Sequence, residues 1–587
     1  MNNQNNKNLI LATSLSVIIL ISWTWFYEKP RLEKVAIEQK KIQENSATNT
    51  STSSIDQVKT AQSSPTLKNA PDDSKNENIA FKNRQDVIQE SNVNRIKISS
   101  PTLHGSINLK GARFDDLTLA KYFKKADKKD EVVLFSPSET KERYFADFGF
   151  ISSNSSIQTP QSDTLWSSNS NILSSDQSVT LSYQNPQNII FKIKISLDEN
   201  YLFTIEQSIE NQSNSSIAIA PYGRISRLLS DQEKAVYISH EGLIGAFGGI
   251  LSEATYENLI ENKTQNFTDK GESGSWLGIT DKYWLSSLIP DQKYAFDANF
   301  SYNIKNKNNH FTSEFVGQEI TVPSQGTSTL QHHLFAGAKK VKILDKYNKD
   351  LNLKLFDRAI DFGWFYFLTK PFFFAIEFLY KIFGNFGLAI LGMTVIVKLA
   401  LFPMASKSYG AIARLKKIQP KIDAIREKYQ NDKIALNREI MEFYKREKIN
   451  PASGCLPILI QIPVFFALYK VFYVTLDMRH AEFYGWIKDL SAPDPTSIFN
   501  LFGLLPFEVS SSFSLGIWPI LMGVTMVIQQ RLSPPPADPT QAKILRFMPY
   551  ILTIVLATFP AGLVIYWTWS NILSILQQIY INNKYKK

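Results

Sequence analysis

"GMTVIVKLALFP", Gly392 to Pro403, places a lysine, Lys398, inside a run that is otherwise apolar. Read as part of a helix from Asn385 to Met404, the run is long enough to cross a bilayer, which sets the ammonium group among lipid tails. A cation near mid-membrane costs about 2.5–3.5 kcal/mol on insertion scales, and such residues usually face a bundle interior or a wet cavity. Lys398 lies nine residues before Lys407, roughly 13 Å of helix, and a lysine stem snorkels over only part of that distance. No Asp or Glu falls inside any of the long apolar runs. The expectation is water beside the charge, or a partner that comes and goes.

Around this run the chain reads as a polytopic α-helical membrane protein. Its 587 residues are 44% apolar and 12% aromatic, enough for two or three structural units. The formal charge of +10 is concentrated beside apolar runs, so it points to a membrane rather than to a nucleic-acid substrate. The long apolar stretches are Leu9 to Tyr27, Asn385 to Met404, Cys455 to Leu476, Gly516 to Gln530 and Phe547 to Ile581. The last is too long for one crossing and is divided at "TFPAGLVIYW" by Pro560 and Gly562, which makes six spans. The first ends in "WTWFY" with no small-x-small cleavage site after it, as a retained anchor does.

Glu28 to Ala80 is rich in Asn, Ser, Thr, Gln and Lys and reads as a tether. From about Ile79 to Lys340 short alternating runs take over. In "IIFKIKISLDENYLFTIEQSI", Phe191, Ile193, Ile195 and Leu197 share one face, Asp198 to Asn200 turn the chain, and Phe203, Ile205 and Ile209 return on that face. Many such runs predict a two-sheet antiparallel sandwich. Asp361 to Gly384 is aromatic but carries Lys370, Glu377 and Lys381, which suits a helix lying in the membrane interface with its charges in water. Lys407 to Lys448 carries apolar stripes at helical spacing on either side of "QNDK", predicting a hairpin of two helices. The hairpin has twelve cations against six acids. The positive-inside rule then places it, the basic tail and by parity the N-terminus in the cytoplasm, and the sandwich outside. Lys29, Arg31 and Lys34 flank the first span on the outer side, against this orientation, but a long domain can be translocated despite its charge.

Other polar groups are candidates for the cavity around Lys398. Thr394 shares its helix face, Gln461 interrupts "LILIQIPVFF", and Tyr566, Trp567 and Asn571 lie together in the last span. Lys470 sits near an outer helix end and reads as a snorkelling residue without a role. The single cysteine, Cys455, permits no internal disulfide, and the scattered histidines, with His332 and His333 on opposite faces of a strand, imply no metal site. Phosphate-loop, zinc-helix and nucleophile-elbow motifs are all missing: "HEGLI" lacks a second histidine and "GESGS" is no elbow. The reading is of a non-enzyme without a cofactor.

From Phe362 onward "QPKIDAIREKYQNDK", "FYKREKINPASGCLPILIQIPVFFALY", "WIKDLSAPDP", "PILMGVTMVIQQRLSP", "DPTQAKILRFMP" and "FPAGLVIYWTWSN" resemble the YidC/Oxa membrane insertase family in its Gram-negative form. "WLGITDKYW" in the outer domain adds a weaker signal. The resemblance implies an anchor (1–27), a linker (28–80), a periplasmic β-supersandwich (81–345), an interfacial helix (358–384), a five-span core (385–581) with a cytoplasmic hairpin (405–450), and a basic tail (582–587). It implies a cationic groove open to cytoplasm and lipid in the inner membrane, lined by Lys398, Thr394, Gln461, Tyr566, Trp567 and Asn571. It also implies that Lys416, Lys417, Lys421, Arg426 and Lys428 meet partners at the hairpin. The partners it implies for the chain as a whole are nascent inner-membrane proteins, the Sec translocon, ribosome or targeting factors through the cytoplasmic loops, and membrane lipids. In the best-known bacterial members the groove cation is arginine; Lys398 keeps the charge and loses the planar fork. Trp567 stands where those members have tyrosine, and the long basic tail of some relatives is reduced to "NNKYKK". Two other classes remain open from the residues alone. A small-solute transporter would be expected to show repeated halves and intramembrane carboxylates, and a membrane-anchored binding module would make the sandwich the active part.

Overall fold

The alternation of apolar and polar residues between Ile189 and Asn211 becomes a hairpin in register: Phe203 faces Leu197, Ile205 faces Ile195 and Ile209 faces Phe191. All six are buried, while Lys194 and Glu206 pair across the outer face at 2.9 Å. Gln207 occupies the remaining inward position. It is fully buried and its Nε2 donates to Gly149 O of the opposite sheet at 2.7 Å, so an amide belongs to a core that is otherwise apolar. This computed structural model describes residues 81–586, apart from 126, 230–238, 272, 306–307, 364, 431, 448–455, 504, 506–514 and 534–538. The expected anchor at 1–27 and the linker at 28–80 lie outside the described residues.

The sandwich is built as expected from two largely antiparallel sheets. One has eleven strands and runs from Thr264–Asp269 through Ile217–Leu229, Tyr144–Ile151 and Arg113–Phe123 to Ile172–Leu173; the other has nine, from Ile250–Thr255 through Thr327–Ala338 to Ser167–Ser168. Arg95–Ser99 and Ile172–Leu173 pair in parallel. Phenylalanines and Trp276 fill the space between the sheets.

Past the last strand the chain stays fastened to the sandwich. A short helix, Val341–Asp350, and a 3-10 turn, Phe356–Ala359, fold back on it. Trp276 Nε1 donates to Lys354 O at 2.9 Å, and the buried Lys339 Nζ bonds Thr280 Oγ1 at 3.0 Å and Ala359 O at 3.1 Å. The aromatic-rich helix then begins at Tyr366, later than the sequence pattern suggests, and ends at Phe383 on Gly384, whose left-handed φ of 65° stops it. Two of its charges, Lys370 and Glu377, are paired rather than simply solvated. Lys370 Nζ reaches Asp345 at 2.8 Å and Asp357 at 3.0 Å, and Glu377 pairs with Lys342.

The helical region follows as Phe386–Ala400, Phe402–Lys428, Lys433–Arg446, Leu456–Val474, Ile517–Leu532, Pro539–Leu556 and Ala561–Lys586. Two expectations are corrected. The first run does not continue straight to Met404: it stops at Ala400 and the chain bends by 67° into Phe402–Lys428. Pro403 is the reason, since its ring has no N–H to donate and crowds the preceding turn. The run expected from Phe547 begins instead at Pro539, a residue well suited to a first helical position. The break at Pro560 falls where expected. Among the described residues no single helix is long and apolar enough to cross a membrane alone; the bent pair is, and Gln461–Val474 is a shorter apolar helix. Two helices, Phe402–Lys428 and Lys433–Arg446, occupy the stretch where the hairpin is expected, with Asp432 capping the second through Ile434 N and Ala435 N and Lys421 lying 3.8 Å from Glu447.

Two outcomes follow. Arg95 and Asp115 form a bidentate pair at 2.7 and 3.0 Å with both side chains almost fully buried. Asp115→Ala strands the guanidinium and should lower stability by about 3–5 kcal/mol in thermal unfolding followed by circular dichroism. Burial pulls the Lys339 ammonium down to about 8 from its ordinary 10.5. The unfolded chain therefore holds more protons than the folded one between those values, and this group's contribution to stability rises with pH across that window. Lys339→Met should remove that part of the slope in melts taken from pH 7.5 to 10.5.

Candidate functional site: a lysine shared by three helices

The Phe386–Ala400 helix is capped by Asn385, whose side chain accepts from Leu388 N. It buries Ala389, Ile390, Met393, Thr394 and Val397, while Ile396 and Leu399 are exposed. Lys398 stands half-buried at the edge between these two faces. Its Nζ crosses to two other helices, donating to Gln461 Oε1 at 3.2 Å and Ser574 Oγ at 2.8 Å. Gln461 passes the connection on, donating Nε2 to the Tyr566 hydroxyl. Ser574 donates to Ser570 O at 2.9 Å.

Every acceptor in this chain is neutral, and among the described residues Lys398 has no carboxylate partner. An ammonium carries three donors, and two are used. The charge is held in place without being cancelled.

Of the residues singled out from sequence, Lys398, Gln461 and Tyr566 meet in one hydrogen-bonded chain. Thr394 does not join it: the residue is 1% exposed and its hydroxyl turns back to Ile390 O at 2.7 Å. Asn571 is buried and serves a neighbouring contact, Nδ2 to Thr525 Oγ1 at 3.0 Å. Trp567 packs edge-on against Phe465, ring centres 4.7 Å apart. Ser574, Thr525 and Gln577, whose Nε2 donates to Lys398 O at 3.4 Å, are not among the expected residues. For Ser574 and Gln577 a signal was present: Tyr566, Ser570, Ser574 and Gln577 recur at three- and four-residue steps along one helix, a polar stripe where apolar residues would otherwise be expected.

Lys470 is corrected outright. Rather than reaching idly for solvent, its Nζ lies 2.8 Å from Asp361, and that carboxylate also accepts from His240 N at 3.3 Å. The sequence separation of 109 residues hid the pair. At the hairpin, Lys416 and Lys417 are exposed, Arg426 meets Asp423 at 2.9 Å, and Lys428 lies 5.2 Å from the centre of the Tyr429 ring.

Residues 95–375 match the family model described as the YidC periplasmic domain, and 378–587 match that of the 60Kd inner membrane protein. Proteins named membrane protein insertase YidC are similar over nearly the whole length. That of Rickettsia bellii is 49% identical over 583 residues, and that of Rickettsia felis 49% over 582, with 99% of each chain covered in both cases. A crystal structure described as an active YidC insertase with its first transmembrane domain resolved is 17% identical, covering 82% of this chain and 92% of that one at a TM-score of 0.34.

Because Gln461 keeps Tyr566 and Ser574 keeps Ser570 O as partners, removing the cation strands no counter-ion. Lys398→Met should therefore fold and melt in detergent within about 1.5 kcal/mol of the parent, the net scale of a hydrogen bond. A loss of the size seen when a buried ion pair is broken, about 3–5 kcal/mol, would contradict a neutral shell.

Proposed function

This chain belongs to the YidC family of membrane protein insertases, and from that membership we propose that it performs insertion through the site built around Lys398. The observation that carries the reading is an ammonium hydrogen-bonded to an amide and a hydroxyl from two other helices, with its charge uncompensated. Such a group attracts acidic residues of an incoming segment with about 4 kcal/mol per close pair at an effective dielectric near 20. The amide and hydroxyl groups beside it lower the desolvation cost for the polar part of the client. The client's apolar segment then leaves sideways into lipid, driven by burial of its hydrocarbon. Negative charge moving outward gains a further 2.3 kcal/mol or so per 100 mV of membrane potential. No nucleotide is consumed in this scheme.

In the same reading Leu9 to Tyr27 and five further segments span the inner membrane. The sandwich lies in the periplasm, and the cationic hairpin faces the cytoplasm, where Lys416, Lys417, Lys421, Arg426 and Lys428 meet ribosome or targeting factors. Clients are nascent inner-membrane proteins, handled alone or with the Sec translocon. The helix from Phe386 to Ala400 covers only about 22 Å at 1.5 Å per residue, short of a bilayer's hydrocarbon core of about 30 Å. A short helix brings Lys398 closer to water and thins the barrier a client must cross.

The test is insertion of a client bearing an acidic translocated segment into vesicles. Lys398→Arg should retain insertion, whereas Lys398→Glu should lower it by at least about tenfold, the equivalent of 1.4 kcal/mol, and should affect a neutral-segment client less. Equal activity of the two variants would rule out electrostatic attraction, and the absence of crosslinks from a probe at Gln461 to nascent clients would rule out the route.

A further inference from the structure

Between the Leu456–Val474 and Ile517–Leu532 helices the chain forms a loop whose base is firmly fixed and whose described tip residues expose apolar side chains. At the base, Leu490 O and Ala492 O accept from Gly562 N at 3.0 Å and Ala561 N at 2.7 Å, which ties the loop to the break between the last two helices. Asp494, buried, accepts from Trp518 N at 2.9 Å, Thr496 N at 3.0 Å and the Trp486 indole at 3.1 Å. Gly516 lets that carboxylate approach, since a Cβ there would come within 2.5 Å of Asp494 Cγ. Ile498 N completes the fastening on Leu515 O at 3.0 Å.

The tip is the 3-10 segment Ile498–Gly503 followed by Leu505. Leu501 and Phe502 both hold positive φ, 51° and 60°, a region bulky side chains avoid. Bonds from Phe502 N to Ser497 O at 2.7 Å and Leu505 N to Asn500 O at 3.1 Å maintain that backbone. The result leaves Phe499, Leu501 and Phe502 about half exposed at 55%, 53% and 46%, with Ile498 and Leu505 beside them. No charged residue occurs from Ser497 to Leu505. Exposed Tyr484 and Trp486 stand on the same loop, and aromatic residues of this kind collect at membrane interfaces.

We propose that this tip seats its apolar side chains at the headgroup and acyl-chain boundary of the outer leaflet, as a lipid-binding wedge. The inference rests on the reading that Ile517–Leu532 crosses the membrane. The occupant follows from continuity. The loop is bonded to the start of Ile517–Leu532, whose exposed side chains include Leu521 and Val524, and to Ala561 and Gly562 just past the end of Pro539–Leu556, which exposes Ile551 and Ile554, so the surface that covers those side chains continues onto the tip. An uncharged apolar cluster with neighbouring aromatic rings is the composition that interface accepts. The wedge fixes the depth of the outer helix ends while the inner end admits a client.

The experiment uses the full chain carrying Cys455→Ser, so that an introduced cysteine is unique. An NBD fluorophore is attached at Phe502→Cys, at Phe499→Cys as an independent second position, and at Leu521→Cys as the reference on the helix. Each is reconstituted at high lipid-to-protein ratio in phosphatidylethanolamine and phosphatidylglycerol vesicles, with or without bromine high on the acyl chains. Both loop probes should lose about half their emission in brominated lipid, as should the reference. Quenching at Leu521 with none at either loop position overturns the wedge and leaves the spanning reading intact. Absence of quenching at all three overturns both. Loop probes shielded from aqueous iodide yet unquenched by bromine show cover by a second copy of the chain, which also overturns the lipid assignment.

Discussion

An ammonium group hydrogen-bonded to an amide and a hydroxyl, and to no carboxylate among the described residues, is the constraint on which the functional half of this molecule depends. Had Gln461 or Ser574 been an acid, Lys398 would form a closed ion pair, and in the proposed route an acidic client would have to compete with a permanent partner. Neutral polar partners fix the position of the charge while leaving its field uncancelled. That combination makes a site attractive to a passing anion without trapping it.

The rest of the structure supplies the frame that holds that site. Proline sharpens the boundary: the bend ahead of Pro403 ends the lysine-bearing helix within one turn of Lys398 and turns the chain into the basic helix Phe402–Lys428. On the opposite side the ion pair between Lys470 and Asp361 joins the helix that supplies Gln461 to the segment leaving the sandwich. Lys370, shared by Asp345 and Asp357, ties the aromatic helix to the same segment. The sandwich is thereby fastened through several short polar contacts rather than one flexible joint. Partial burial strengthens each contact relative to an exposed pair.

Legibility in the sequence followed the range of the interactions. Strands between Ile189 and Asn211 could be read because period-two alternation is a local consequence of a sheet with one buried face. Helix ends at Gly384 and Pro560 were local too, since glycine and proline act on their own backbone. The start at Pro539 was missed because polar residues in the first turns mask a helix that is apolar only later. Gln207 escaped because nothing nearby in sequence announces that its amide meets Gly149 from the other sheet.

By itself, then, the sequence determined a β-sandwich followed by a helical region, and a lysine set in an apolar run without an acid, because burial periodicity, chain-breaking residues and the desolvation cost of charge are local properties. Only the tertiary structure decided who meets that lysine. Gln461 and Ser574 lie 63 and 176 residues away, Lys470 finds Asp361 across 109, and Thr394, one turn from Lys398, satisfies its own backbone instead. Those outcomes depend on how helices rotate and pack against one another. That rotation is set by the fit of whole surfaces, and no short stretch of residues contains it.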